Sequence, residues 1–524
     1  MTTSMTNNRL EIVIFCSLVA TWILVYALIA PPFGGTDVFI FKDAGSNLAL
    51  GQGFKSIPAP FFDGDPTPRI FSSYTPFYPL LYGLWGLSFG IGPYSNAYFD
   101  LFLAIVASSL TLFLLMPALE QRRERLLSAV IVGITVPAGG VFMLSDRAEI
   151  LGYAFSVMVL LLWRKARGSA CRSISVVGAS ALVFLANPFA GLVTLMIVSV
   201  LLITDQPESP SLKPSGIARV RLLSYGWLLF VIICASTAFL LFTYDHDALR
   251  RFSEHSLGRN SGAGVLRNIN GIRMLWSFYL VQWRHAFLSS SISSFTMASS
   301  LVVCFAIAVP YVAWVLREPA SSHIKMQNRI IGAFVIGLFF VPVLLFPRQN
   351  NYYVLDRALI PIFLLISRTS TAELLRRVRL PLVLIGAGVL CAVPEILVEL
   401  AQRCENHTSY EYARQEVRAI TADIDQSKYI AISSTLYPIV KPIHPKLVNV
   451  QYLDRADKAY FVDGLIISRA NSRFTNATRI PLPAALADIA WQPLNHALPP
   501  VFIRLFGRQV MRSQWGWGVD GYRR

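Results

Sequence analysis

Long apolar runs alternate with short polar segments along most of the chain. The runs approach the roughly 20 residues that a helix needs to cross a hydrocarbon core. They lie at 10–31, 97–118, 126–144, 150–163, 173–187, 189–204, 222–243, 298–316, 330–346, 356–367 and 380–400. This pattern predicts a polytopic α-helical membrane protein with about eleven transmembrane helices.

The distribution of Arg and Lys decides how one further apolar run, 76–92, is interpreted. If this run lies flat on the membrane, most basic residues of the short loops fall on one face, which leaves Arg147, Arg348 and Arg357 opposite. Basic residues concentrate in cytoplasmic loops. We therefore predict that 76–92 is interfacial and that the N-terminus is cytoplasmic.

Composition supports a membrane protein and argues against a nucleic-acid partner. The 524 residues are 54% hydrophobic and only 15% charged, whereas soluble domains carry about 25% charged residues. The net charge of +16 is scattered between apolar runs, which favours anchoring against anionic lipid. A bacterial inner membrane is the preferred location, although an endoplasmic reticulum membrane suits the same pattern.

Three outward segments are large: 32–96, 244–297 and 401–524. We predict a membrane domain over 1–400 and a small outward-facing, periplasmic α/β domain over 401–524. A capping box at Thr408 to Glu411 predicts a helix through Ile420. The β-rich runs that follow are Tyr429 to Ser433, Leu447 to Val450 and Ala459 to Ile467, separated by turn residues.

The first outward loop carries two acidic candidates. Asp37 follows the first apolar run and precedes Val-Phe-Ile-Phe. These apolar neighbours favour a partly desolvated carboxylate, whose pKa would rise toward the range of a general base. Asp43 opens the helix-like run 43–50, and a structural N-cap is the favoured interpretation for it. Arg69 shares the loop and is a candidate contact for an anionic group.

Two shorter outward segments add charged candidates. Asp146, Arg147 and Glu149 lie between the third and fourth predicted spans. They form a local ion pair, hold a divalent metal such as Mg²⁺ or Mn²⁺ through Asp146 and Glu149, or bind a phosphate through the guanidinium; all three alternatives stay open. The segment 348–357 brings Arg348 and Arg357 close to tyrosines just above the membrane, an arrangement suited to a lipid-borne phosphate.

The motifs of the first loop resemble those of a known superfamily. Thr36-Asp37, the run Phe41-Lys-Asp-Ala-Gly45 and Tyr74-Thr-Pro-Phe-Tyr-Pro-Leu80 are similar to motifs of GT-C integral-membrane glycosyltransferases, especially mannosyltransferases that use polyprenyl-phosphate sugars. In that family an Asp-x-Asp pair opens the loop. Here position 35 is glycine, so only the second acid, Asp37, matches, and the resemblance implies a single catalytic carboxylate at this position and not a pair.

The resemblance implies an inverting glycosyltransferase that moves a sugar from a polyprenyl-phosphate donor to a hydroxyl of a glycan, lipid or protein. The alternatives are a transporter or flippase of lipid-linked saccharide and an outer-face glycan polymerase or ligase. The implied roles are Asp37 as catalytic base; Asp43, Asp146 and Glu149 as supporting acids; Arg357, Arg348, Arg147 and Arg69 at the donor phosphate; and Tyr74, Tyr78, Tyr352 and Tyr353 as substrate-loop residues.

Overall fold

The computed structural model describes part of the chain, chiefly the first eight helices, which lie before position 187, and much of the C-terminal region. The described residues are 9–29, 38–57, 68–70, 75–116, 119, 121–142, 147–165, 169–187, short helical pieces between 190 and 236, 410–422, 424–450, 462–468, 492–493, 502–505, 508–512 and 519–523. The predicted outward segment 244–297 and the predicted spans beyond 243 lie outside them.

The described helices, in chain order, are α1 (Arg9–Ile29), α2 (Val38–Phe41), α3 (Asp43–Ala49), α4 (Phe77–Phe89), α5 (Pro93–Leu115), α6 (Arg122–Phe142), α7 (Glu149–Lys165), α8 (Ser169–Ala186), α9 (Tyr410–Ala422) and α10 (Tyr437–Val440). The strands are β1 (Lys55–Ser56), β2 (Arg69–Ile70), β3 (Tyr429–Ile432), β4 (Leu447–Asn449), β5 (Val462–Ser468), β6 (Gln492–Pro493), β7 (Phe502–Leu505), β8 (Arg508–Arg512) and β9 (Val519–Arg523).

Five long helices match the first five predicted apolar runs. Among the described residues, α5 alone is both long and apolar enough to cross a membrane on those two criteria. The run 76–92 forms only the 13-residue helix α4, which extends roughly 20 Å and is too short for a core of about 30 Å. Its length agrees with the predicted interfacial position, while the number of spans stays a prediction.

The long helices form one packed bundle. Phe15 of α1 shares an apolar cluster with Leu112 and Leu115 of α5 and with Val132 of α6. The indole of Trp22 donates to the carbonyl of Gly133 at 3.0 Å. Across the α5–α7 contact, the Thr111 and Tyr153 hydroxyls lie 2.9 Å apart. Because these polar groups pair across helices, the bundle satisfies them without water.

Helix α4 lies against α3 at backbone distance. A Cβ added to Gly45 would overlap the carbonyl oxygen of Pro79 and lie 2.9 Å from the Gly83 nitrogen. The opposite face of α4 exposes large apolar side chains, Leu84, Leu87 and Phe89. One face of α4 is therefore fixed to the first loop, and the other is suited to lipid.

The C-terminal region forms a five-stranded mixed sheet in the order β4-β3-β5-β9-β6. Strand β3 is parallel to β4 and β5, and β9 is antiparallel to β5 and β6. Helix α9 supplies Ala413, Val417 and Ile420 to the apolar core beside the sheet. The predicted helix and three predicted strands are present here, whereas Thr408 of the capping box lies outside the described residues.

We predict that Gly45→Ala destabilises the protein, because the added methyl group must displace the backbone of α4. Forced overpacking in a tight contact costs typically about 1–3 kcal/mol. Thermal unfolding of the purified protein, followed by intrinsic fluorescence, measures the change.

Gly178→Ala is the matched control, because Gly178 lies in α8 and a Cβ there meets no atom within 4 Å. Alanine favours a helix over glycine, so this control should leave the unfolding temperature unchanged or raise it slightly. Equal unfolding temperatures for the two variants would contradict the close α3–α4 contact.

Candidate active site

The described part of the chain contains five of the predicted site residues: Asp43, Arg69, Tyr78, Arg147 and Glu149. The others lie outside the described residues; these are Asp37, Tyr74, Asp146, Arg348, Tyr352, Tyr353 and Arg357. The roles predicted for this second group stay predictions. The structure does describe the segment that begins one residue after Asp37.

That segment, 38–47, is buried over nearly its whole length. Val38 has no exposed surface, and Phe39 is 3% exposed. Backbone hydrogen bonds from Lys42 N to Val38 O and from Ser46 N to Lys42 O, both 2.8 Å, join α2 to α3. The chain after Asp37 is therefore held as a short bent helix inside the protein, not as a surface loop.

Lys42 is the one cation of segment 38–47, and it has no exposed surface. Its ammonium donates to Asn96 Oδ1 at 2.7 Å and to Asp100 Oδ2 at 2.8 Å, both on α5. It also lies 5.0 Å from the ring centroid of Tyr82 and 5.6 Å from that of Phe99. The carboxylate and the aromatic faces together replace the water that this charge gives up.

Asp43 faces the other way, toward the C-terminal region. Its Oδ1 accepts from the hydroxyl of Tyr437 at 2.7 Å and from the ammonium of Lys441 at 2.8 Å. The prediction that Asp43 caps a helix is wrong. The helix starts at Asp43 itself, and Lys42 occupies the capping position without a side-chain cap. The carboxylate of Asp43, which would have accepted from backbone amides in a helix cap, is instead paired with Lys441.

Tyr437 is protonated in this arrangement. Burial, and then the neighbouring Asp43 carboxylate, raise the pKa of Tyr437 well above its usual range. The hydroxyl therefore donates to Asp43 across the physiological pH range. The ring also meets Phe39 edge to face, with centroids 4.8 Å apart. One tyrosine thus contacts both the polar and the apolar part of segment 38–47.

Arg147 and Glu149 form the local ion pair that was one of the predicted alternatives. Nε and one terminal nitrogen of Arg147 donate to Glu149 Oε1 at 3.2 and 3.0 Å. The guanidinium also lies 5.8 Å from the ring centroid of Phe41, in α2. The second oxygen of Glu149 is buried and has no hydrogen-bond partner among the described residues. One predicted site residue, Arg147, therefore lies against the segment that follows Asp37, and a second, Glu149, holds it there.

The remaining two described candidates are structural neighbours of this region. Tyr78 is fully buried, and its hydroxyl donates to Asp100 Oδ1 at 2.9 Å. Arg69 is in β2, where it is paired with Ser56 of β1. Among the described residues no group of three His, Cys, Asp or Glu side chains is arranged to hold a metal ion. The predicted pair of Asp146 and Glu149 is untested, because Asp146 is not described.

The residues that fix segment 38–47 had no role predicted from the sequence. They are Lys42, Asn96, Asp100, Tyr437 and Lys441. Asp100 had a usable signal, because an acidic residue inside an apolar run of spanning length is costly and points to a partner. No comparable signal marked Tyr437 or Lys441, because their partner is separated from them by 394 and 398 positions.

Comparison with solved structures identifies the fold. The chain matches ArnT from Cupriavidus metallidurans bound to undecaprenyl phosphate with a TM-score of 0.51 at 12% identity, covering 97% of both chains. It also matches the apo state of that protein, with a TM-score of 0.43 at 13% identity over 97% of both chains. An Archaeoglobus fulgidus oligosaccharyltransferase tethered to an acceptor peptide matches with a TM-score of 0.47 at 9% identity, over 87% of this chain and 68% of that one.

The fold assignment rests on the first of these matches. The chain has the fold of this ArnT structure, which it matches over 97% of both chains. At the level of the fold, this likeness agrees with the predicted resemblance to GT-C glycosyltransferases. No protein-family model matches the chain, and no curated protein sequence matches it.

We predict that Lys42→Met destabilises the protein strongly, because it leaves the carboxylate of Asp100 buried without its cation. Breaking a buried ion pair from one side typically costs about 3–5 kcal/mol. Removing both charges, in Lys42→Met with Asp100→Asn, should recover part of that loss. Chemical or thermal unfolding in detergent measures all three proteins. A double variant no more stable than Lys42→Met would contradict the pairing.

Proposed function

We propose that the protein is an inverting glycosyltransferase. It takes a sugar from a polyprenyl-phosphate donor and transfers it to an acceptor hydroxyl at the outer face of the membrane in which it lies. The observation that carries the proposal is the buried segment 38–47. It begins one residue after Asp37 and is fixed by two buried ion pairs. A base must be held in place before the reaction to act efficiently, and such a segment supplies that order.

In the proposed step, the acceptor hydroxyl oxygen attacks the anomeric carbon of the donor sugar. The bond from that carbon to the phosphate oxygen breaks, and the electron pair leaves with the polyprenyl phosphate. Asp37 takes the hydroxyl proton. Attack from the side opposite the leaving group inverts the anomeric configuration. Negative charge develops on the departing phosphate, which is where cationic side chains stabilise the transition state most.

Arg147 is the described residue best suited to this phosphate. Glu149 holds its guanidinium from two nitrogens, and Phe41 lies against it. A guanidinium fixed in this way binds a phosphate with less loss of side-chain entropy than a free one. Arg348, Arg357 and Arg69 complete the proposed set. The polyprenyl-phosphate class of donor is supported by the likeness to an ArnT structure bound to undecaprenyl phosphate.

The proposed location is a bacterial inner membrane, with the N-terminus in the cytoplasm and the C-terminal sheet in the periplasm. The distribution of basic residues along the chain supports this orientation. A divalent ion at Asp146 and Glu149 is part of the proposal only as an option. Transfer measured with and without a chelator decides it.

We predict that Asp37→Asn lowers the transfer rate about 10²- to 10⁴-fold, because the amide cannot accept the acceptor's proton. The transfer rate is measured with purified protein in proteoliposomes that are supplied with labelled polyprenyl-phosphate sugars. Asp425→Asn is the control, because Asp425 is on an exposed turn of the C-terminal region, where it accepts from the Ser427 amide at 2.8 Å. Near-normal transfer by a folded Asp37→Asn protein would overturn the assignment.

We predict that Glu149→Gln raises the donor KM more than it changes kcat, because the neutral amide holds Arg147 less firmly. Loss of a charge-assisted hydrogen bond costs about 1.5–3 kcal/mol, which corresponds to a rise in KM of about 10- to 150-fold at most. Glu411→Gln is the matched control, since it weakens an exposed pair with Arg414 at 3.8 Å. An unchanged donor KM for Glu149→Gln would exclude Arg147 from the phosphate site.

A further inference from the structure

Two consecutive residues of the first loop are held from opposite sides. Lys42 is bound by α5 of the membrane bundle. Asp43 is bound by Tyr437 and Lys441, at the start of α10 and directly after its end. We propose that the C-terminal sheet and its helices act as a positioning element for the candidate active site, through the Asp43–Tyr437–Lys441 contact. This inference rests on the proposed function and assigns the C-terminal region a part in it.

The contact has the character of a structural ion pair within a protein interior. The side chains of Lys441 and Asp43 are 3% and 5% exposed. Lys441 also donates to the carbonyl of Pro445 at 2.9 Å, and the second oxygen of Asp43 is 3.4 Å from the Asn47 amide nitrogen. Each charge is thus hydrogen-bonded on more than one side, which is what compensates for its removal from water.

Apolar contacts extend the same interface toward Asp37. Val38 and Phe39 belong to one core cluster with Val417 of α9, Ile432 of β3 and Leu447 of β4. The residue after Asp37 is therefore a core residue of the C-terminal region. A shift of that region would move the backbone at position 38 and, through one peptide bond, the backbone of Asp37. Displacements of about 1 Å in a reacting group can lower rates about 10²-fold.

The exposed ion pair between Arg414 and Glu411 in α9 differs in kind from the buried pair between Lys441 and Asp43. Arg414 and Glu411 are 3.8 Å apart, with side chains 39% and 64% exposed. Pairs of that kind contribute little to stability. The contact between Asp43 and Lys441 is shorter, at 2.8 Å, and almost fully buried. It joins segments that are 398 positions apart along the chain. It therefore fixes the relative position of two regions and does not merely support one helix.

The variant Lys441→Met tests the inference, with Lys446→Met as the matched control. Lys446 is in the same segment, but its ammonium donates to the carbonyl of Ser427, within the C-terminal region. Tyr437→Phe removes only the hydroxyl that donates to Asp43, and it replaces Lys441→Met in the test if that variant does not fold. Asp43→Asn combined with Lys441→Met removes both charges. Full-length proteins in proteoliposomes are compared by donor kinetics and by hydrogen–deuterium exchange of the peptide covering 38–50.

We expect Lys441→Met to lower kcat at least about tenfold while the donor KM stays within about twofold, because the base is displaced but the phosphate site is not. Exchange should rise in 38–50 and remain unchanged in α6 and α7. The double variant should recover part of both the rate and the protection, since it leaves no unpaired charge. Lys446→Met should behave as the unaltered protein does.

Unchanged kcat and unchanged exchange in 38–50 for a folded Lys441→Met protein, or for Tyr437→Phe in its place, would overturn the inference. So would a double variant no better than the single one. If the unaltered protein transfers no sugar from any donor, the proposed function fails instead. The exchange experiment then still decides whether the C-terminal region holds segment 38–50, since it needs no substrate.

Discussion

The charged side chains of the neighbouring residues Lys42 and Asp43 are both buried, and each binds partners on a different side of the first loop. The described structure around this loop depends on how each charge is neutralised. Lys42 reaches Asp100 and Asn96 on α5, while Asp43 reaches Tyr437 and Lys441. Removing a charge from water is expensive unless partners surround it. The two buried ion pairs therefore connect the first loop to the bundle on one side and to the C-terminal region on the other.

Packing reinforces that arrangement at the points where the charges do not act. The close approach at Gly45 brings α3 and α4 to backbone distance, and the hydroxyl of Tyr78 of α4 donates to Asp100. Phe39 meets Tyr437 edge to face on the opposite side. The segment after Asp37 is consequently ordered by apolar, aromatic and ionic contacts at once. This order suits a residue that has to be in position before a substrate arrives.

Much of the architecture was accessible from the sequence, because it follows from local patterns. Apolar runs marked the long helices, and the distribution of Arg and Lys predicted that 76–92 does not span the membrane, with which the 13-residue length of α4 agrees. The helix α9 followed from a capping box, and strands β3 to β5 followed from β-rich runs separated by turn residues. The loop motifs pointed to a fold that comparison with a solved structure confirms.

The candidate site was less accessible, because its key contacts join distant parts of the chain. Asp43 has the local signature of a helix cap, yet its carboxylate is taken by two groups near position 440. No local pattern carries such pairing. The Arg147–Glu149 pair was visible in the sequence because its members are two residues apart, but its contact with Phe41 was not.

The most direct test of the account is a transfer assay with the unaltered protein in proteoliposomes and a panel of labelled polyprenyl-phosphate sugars. The account predicts that one donor loses its sugar to an acceptor hydroxyl and that the anomeric configuration of the product is inverted. Retention of configuration, or movement of the intact lipid-linked sugar between leaflets without transfer, would contradict it.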